Sequence, residues 1–171
     1  TGLDAVWDAA LGLGKRLTPR RSRLLREARR VVAMEAQYRE MTDAALREAA
    51  GELRDTFRRG RDRREQLRRA FALIREVAAR QVNMRPFLVQ VAGGLAIHDG
   101  CVAEMATGEG KTLTATMPAT VAGWRGRGCH ILTTNDYLAR VGAELMAPIY
   151  RFCGLRVACI EQETPPEQRR E

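Results

Sequence analysis

Several things that would narrow the reading quickly are scarce in this chain. Aromatic residues make up 5% of it, and the only histidines are His98 and His130. The four cysteines stand at 101, 129, 153 and 159, with no C-x-x-C and no neighbouring histidine pair. Neither a zinc site nor a disulfide framework is therefore expected, and small buried cysteines in a reducing cytosol fit better. Long apolar runs are also missing. The longest, FLVQVAGGLAI at 87–97, is too short to span a bilayer and is broken by Gln90 and two glycines. The opening TGLDAVWDAALGLGKRL carries acids within its apolar stretch and its positive charge at the wrong end for a signal peptide. Acidic residues are the scarcer charge: 29 Lys+Arg stand against 21 Asp+Glu, a formal net charge of +8 that is nearly all arginine. That balance favours anionic partners, whether nucleic acid, anionic lipid or nucleotide. The densest clusters, RLTPRRSRLLREARR at 16–30 and FRRGRDRREQLRR at 57–69, alternate with apolar residues at helical spacing, so each arginine reads first as part of a solvated helix face.

What is present divides near residue 83. Apolar residues at helical spacing predict amphipathic helices over 3–16, 22–41, 42–60 and 63–81, with Thr42 as an N-cap and Gly60 as a stop. No strict heptad is sustained, so residues 1–82 read as a helical N-terminal segment and not a coiled coil. Beyond it, CVAEM (101–105), CHILTT (129–134) and LRVACIE (155–161) read as short buried strands, alternating with helical TLTATMPATVAGW and DYLARVGAELMAPIYRFC, the second closed by Gly154. That alternation predicts βαβ units and an α/β fold with a parallel sheet. Since three strands with one covered face make a poor end product, residues 83–171 read as the first, incomplete part of a larger domain.

The stretch EMATGEGKTLTATMP (104–118) supplies the parts of a phosphate cradle: Thr107, Gly108, Glu109 and Gly110 as a loop, Lys111 as the cation, and Thr112 as a hydroxyl for magnesium. Met105 stands where the full G-x-x-x-x-G-K-T pattern has glycine. The helix expected to start after the loop would aim its free N–H groups and partial positive charge at an anion. Gln90 lies among apolar residues 21 positions before Lys111; a buried carboxamide donates and accepts together, as the adenine edge requires. Without a ligand it is simply a glutamine at a helix start. Asn135 or Asp136 reads as the cap of the helix that follows.

Taken together, MRPFLVQVAGGLAIHDG, CVAEMATGEGKTLTATMPA, GRGCHILTTNDYLAR and APIYRFCGLRV resemble the first nucleotide-binding domain of the SecA family, the ATPase motors of bacterial preprotein translocation. The resemblance runs from about residue 20 to about residue 161. It implies a P-loop, RecA-like domain of the superfamily-2 motor type that binds ATP and Mg2+. Carried over by position, Gln90 reads adenine with Met84 and Phe87 as its apolar surround, Lys111 meets the outer phosphates, and Thr112 ligates magnesium. The family's later magnesium-binding carboxylates and its arginines from a second motor domain match nothing in this sequence, so binding without hydrolysis is expected of this stretch alone. The implied partners are the Sec membrane channel, unfolded preproteins and anionic lipid. A basic N-terminal helix would meet the lipid through Leu3, Trp7 and Leu11 with Lys15, Arg16, Arg20 and Arg21, placing the protein in the cytoplasm, peripheral on the inner face of the cell membrane. Val141 and Gly142 depart from the arginine and aspartate usual in the family. Two rivals remain: a truncated module that binds nucleotide or channel without hydrolysis, and a superfamily-2 nucleic-acid helicase. The helicase, and nucleic acid as a partner, fit poorly, because Asp136 and Tyr137 stand where helicases present an arginine to the phosphate backbone.

Overall fold

The computed structural model describes residues 20–167 and 169; the helix expected at 3–16, with Leu3, Trp7, Leu11, Lys15 and Arg16, lies outside them. Seven helices are formed among the described residues: α1 (Arg20–Ala33), α2 (Glu35–Arg39), α3 (Asp43–Arg58), α4 (Arg64–Val82), α5 (Leu88–His98), α6 (Lys111–Trp124) and α7 (Asp136–Phe152). The single helix expected over 22–41 is broken at Met34, whose amide bonds back to the Val31 carbonyl at 3.1 Å. The break lets Tyr38 turn inward and become buried. Thr42 caps α3 as expected, accepting from the Ala45 amide at 3.3 Å, and Leu46, Ala50, Leu53 and Phe57 form its buried stripe.

α4 is the hub. Residues 70–78 are buried without interruption, so this helix is covered on every side, with α1, α2, α3, α6 and α7 all packed against it. It ends at Asn83, which adopts the left-handed conformation at φ 55°. Asparagine tolerates that turn better than most residues, and it sends the chain back as the 84–87 segment. α5 crosses α6 closely at Gly94: a Cβ there would stand 3.1 Å from the Phe71 ring and 3.2 Å from the Thr114 carbonyl. That carbonyl is the one Pro118, inside α6, cannot bond. At the far end of α6, Trp124 is buried, donates its Nε1 hydrogen to the Cys153 carbonyl at 2.9 Å, and lies 5.8 Å from the Phe57 ring. α7 closes on Gly154 at φ 75°, with Leu155 N bonded to the Tyr150 carbonyl at 2.9 Å.

The sheet expected from the sequence does not form. No strand occurs among the described residues, and the α/β parallel-sheet, RecA-like expectation is corrected to an assembly of helices joined by irregular segments. Residues 101–106, 129–134 and 155–160 form neither helix nor strand, and no ladder hydrogen bond links one segment to another. Apolar, β-branched composition favours an extended backbone; a strand also needs a partner about 4.8 Å away to take its N–H and C=O groups. Exposure shows the missing partner: Val102 is 98% and Leu132 92% exposed. The cysteines are free and only Cys153 is buried, its thiol pushed up to about 12 by that burial, whereas Cys129 is exposed.

Ion pairs tie the helices together. Glu27, Glu35 and Asp62 all have carboxyls held below the ordinary range, chiefly by hydrogen bonds from Arg68, Arg75 and Arg125 respectively. A carboxylate with a lowered folded pKa contributes stability above its unfolded value and loses it as the pH falls through the folded one. The melting temperature is therefore expected to hold from pH 7 to about pH 5 and then fall steadily toward pH 3. A melting temperature flat across that lower window would mean that these pairs contribute nothing.

Candidate nucleotide site

The loop at 106–110 joins the irregular 101–106 segment to the start of α6. Two left-handed glycines shape it, Gly108 at φ 87° and Gly110 at φ 79°. Gly110 is the N-cap of α6 and offers no side-chain acceptor. Thr114 N is the first amide of the helix to find a backbone acceptor, Gly110 O at 3.0 Å. The amides of Lys111, Thr112 and Leu113 have no acceptor among the described residues, which leaves a row of donors at the positive end of a 14-residue helix.

Lys111 and Thr112 are both exposed at that end. The Lys111 ammonium donates to the Ala106 carbonyl at 2.8 Å and so folds back across the loop. Glu109 holds the same residue by its other backbone group, its Oε2 accepting from the Ala106 amide at 2.7 Å. Thr107 and Gly108 at the tip are exposed. The methyl of Thr112 faces α7, where a Cβ on Gly142 would lie 3.7 Å away. With glycine at 142, α7 presents no side chain to Thr112 from that position.

Gln90 is 6% exposed, in the first turn of α5. Its Oε1 accepts from the Phe87 amide at 2.8 Å, and its Nε2 donates to the Glu109 carbonyl at 2.8 Å. The structure thus brings Gln90 against the loop, 19 residues away in sequence. Gly110 permits the approach, because a Cβ there would stand 2.4 Å from the Gln90 nitrogen. A carboxamide has two N–H donors and two lone pairs, so one of each remains for a ligand edge. Met84 and Phe87 lie on the same segment, 38% and 72% exposed, as an apolar surface open to solvent.

A family model described as the SecA DEAD-like domain matches residues 12–171. The protein translocase subunit SecA of Rubrobacter xylanophilus is 46% identical over 160 residues, covering 94% of this chain and 17% of the relative. The chain belongs to the SecA family. Protein translocase subunits SecA from Kineococcus radiotolerans and Renibacterium salmoninarum are 45% and 42% identical, over 87% and 98% of this chain. The chain spans only 17% and 18% of those two relatives, so it corresponds to a small part of a SecA protein. No described helix is long and apolar enough to cross a membrane.

Residues that the sequence reading passed over sit behind the SecA candidate site. Arg75, Glu76 and Arg80 of α4, Glu35 of α2, and Arg85 form a chain of ion pairs beneath the 84–87 segment. The available signal was the insertion of Arg75 and Glu76 between Ile74 and Val77, both fully buried. Charges in the middle of an apolar stretch need partners from elsewhere in the fold.

Proposed function

We propose that this chain carries the ATP-binding part of a SecA-type motor, which in the whole protein couples ATP hydrolysis to the movement of unfolded preproteins through the Sec channel. The observation that carries the reading is the Gln90 to Glu109 hydrogen bond, which joins the candidate base reader to the candidate phosphate loop. The free amides at the start of α6 and the Gly108 and Gly110 turns suit an anion, and a Cβ at 110 would close the cradle. Lys111 would leave the Ala106 carbonyl for the outer phosphates, and the Thr112 hydroxyl would ligate magnesium. Bound magnesium would neutralise charge on the phosphoryl oxygens. Gln90 would offer its remaining donor and lone pair to adenine, with Met84 and Phe87 against the ring.

In this reading residues 1–82 are a helical segment and 83–171 the start of the nucleotide-binding unit. Anionic lipid would be met by the basic N-terminal stretch, of which Arg20 and Arg21 are exposed at the start of α1, and the protein would act in the cytoplasm at the inner face of the membrane. The test is ATP binding by the full-length protein with and without magnesium. Thr112→Ala is expected to leave magnesium-free affinity within about twofold and to remove most of the magnesium-dependent gain. Binding indifferent to magnesium and to Thr112 would refute the assignment.

A further inference from the structure

The ion-pair chain beneath residues 84–87 leads to the nucleotide site through a single peptide. Arg75 is 8% exposed in the middle of α4. Its Nε donates to the Pro86 carbonyl at 2.7 Å, and its Nη1 pairs with Glu35. Glu35 also accepts from Arg85 at 2.7 Å. The other terminal nitrogen of Arg85 lies 2.8 Å from Glu76, which is 3% exposed and takes a 2.8 Å bond from Arg80 Nε. Positive and negative groups alternate along the whole series. Such a series adds little net stability over apolar side chains of the same volume, because desolvation offsets most of the attraction. What it supplies is a fixed position for its members.

That position is passed on. The Pro86 carbonyl and the Phe87 N–H belong to one planar peptide. Arg75 holds the carbonyl end, and the N–H end donates to Gln90 Oε1. Gln90 Nε2 then reaches the Glu109 carbonyl in the glycine loop. Four hydrogen-bonded steps, from Glu35 through Arg75 and the peptide to Gln90, therefore connect α2 with the loop.

Resting on the nucleotide reading above, we propose that Arg75, held by Glu35, is a positioning residue: it fixes the Pro86–Phe87 peptide and thereby sets Gln90, at the edge of the phosphate loop, to read a purine base. Arg75 touches no ligand in this scheme. Its loss is felt in base recognition before phosphate binding.

The test measures equilibrium binding of Mg-ATP, Mg-GTP and inorganic tripolyphosphate to the full-length protein, its Arg75→Met and Arg75→Lys variants, and Glu35→Gln. Arg75→Met is expected to weaken ATP about tenfold, the size of a lost charged hydrogen bond. Its preference for ATP over GTP should shrink by a similar factor, while tripolyphosphate stays within about twofold. Lysine lacks the planar fork that serves Pro86 and Glu35 together, so Arg75→Lys should recover only part of the loss. Glu35→Gln keeps a hydrogen-bond acceptor on a side chain 22% exposed; it reports through the same ratio at smaller size if Arg75→Met does not fold. An ATP to GTP ratio unmoved in every variant overturns the proposal, and so does an equal loss of ATP and tripolyphosphate, the mark of a merely structural role. A wild-type protein that binds neither ATP nor tripolyphosphate overturns the site reading, and the proposal with it.

Discussion

Replacing Lys111 by alanine is expected to lower the ATP affinity of the full-length protein by about a hundredfold and to take hydrolysis to background, with the melting temperature unchanged. The first part follows from charge. Lys111 is the only cation on the loop, standing on the first residue of α6 where Gly110 supplies no capping side chain. Truncating one partner of a close charge pair typically costs about 2–5 kcal/mol, or about 30-fold to several thousandfold. The second part follows from exposure: Lys111 is open to solvent, and its one hydrogen bond is to the Ala106 carbonyl on an exposed loop. Surface substitutions of that kind stay within about 0.5 kcal/mol. Lys111→Arg should rescue little, because a broad planar guanidinium does not replace a compact ammonium in a turn shaped by Gly108 and Gly110. Titration of a fluorescent ATP analogue, with thermal melting alongside, separates the two effects. Affinity unchanged in Lys111→Ala would remove Lys111 from the site, and a parallel loss of affinity and melting temperature would make it a structural residue.

The helices were readable because their signals are local. Thr42 and Asn135 each bond the amide three residues on, and Gly154 supplies the positive φ that ends α7; spacing alone is enough to recognise such features. The break at Met34 was not readable, since it depends on Tyr38 finding the core beside α4. The sheet failed for a related reason. Residues 129–134 have strand composition, but pairing is a property of two segments, and with no partner beside it Leu132 faces solvent. Within the site, the loop glycines, Lys111 and Gln90 were all visible as residue types, and their contact across 19 positions required the fold. Arg75 and Glu76 were hidden by the assumption that charges on a helix face water. Arg80, four residues on in the same helix, is within reach of Glu76 by periodicity alone, but the other partners arrive from α2 and from the segment after Asn83, and no helical periodicity announces them.

Trp124→Ala is expected to destabilise the protein by about 3–5 kcal/mol, lowering the melting temperature by about 10 °C or more for a unit of this size. Trp124 is 1% exposed and is the largest of the fully buried side chains among the described residues. Its removal loses the transfer energy of the indole, leaves a cavity beside Phe57, and strips the Cys153 carbonyl of its 2.9 Å hydrogen bond. Trp124→Phe separates these contributions. It keeps most of the ring contact and loses the N–H, so about 1–3 kcal/mol of the damage should remain, the cost of an unsatisfied buried carbonyl. The two variants also divide stability from ligand binding. Trp124 ends the helix that Lys111 begins, about 20 Å away at 1.5 Å per residue. ATP affinity of Trp124→Phe, measured well below its melting temperature, should match the wild type within about twofold, because no hydrogen bond of the Gln90 and Glu109 series passes through the far end of α6. A large loss of affinity in a folded Trp124→Phe protein would mean that α6 shifts as a rigid body when its far end is disturbed, so that the phosphate loop depends on core packing as well as on the polar contacts that reach it.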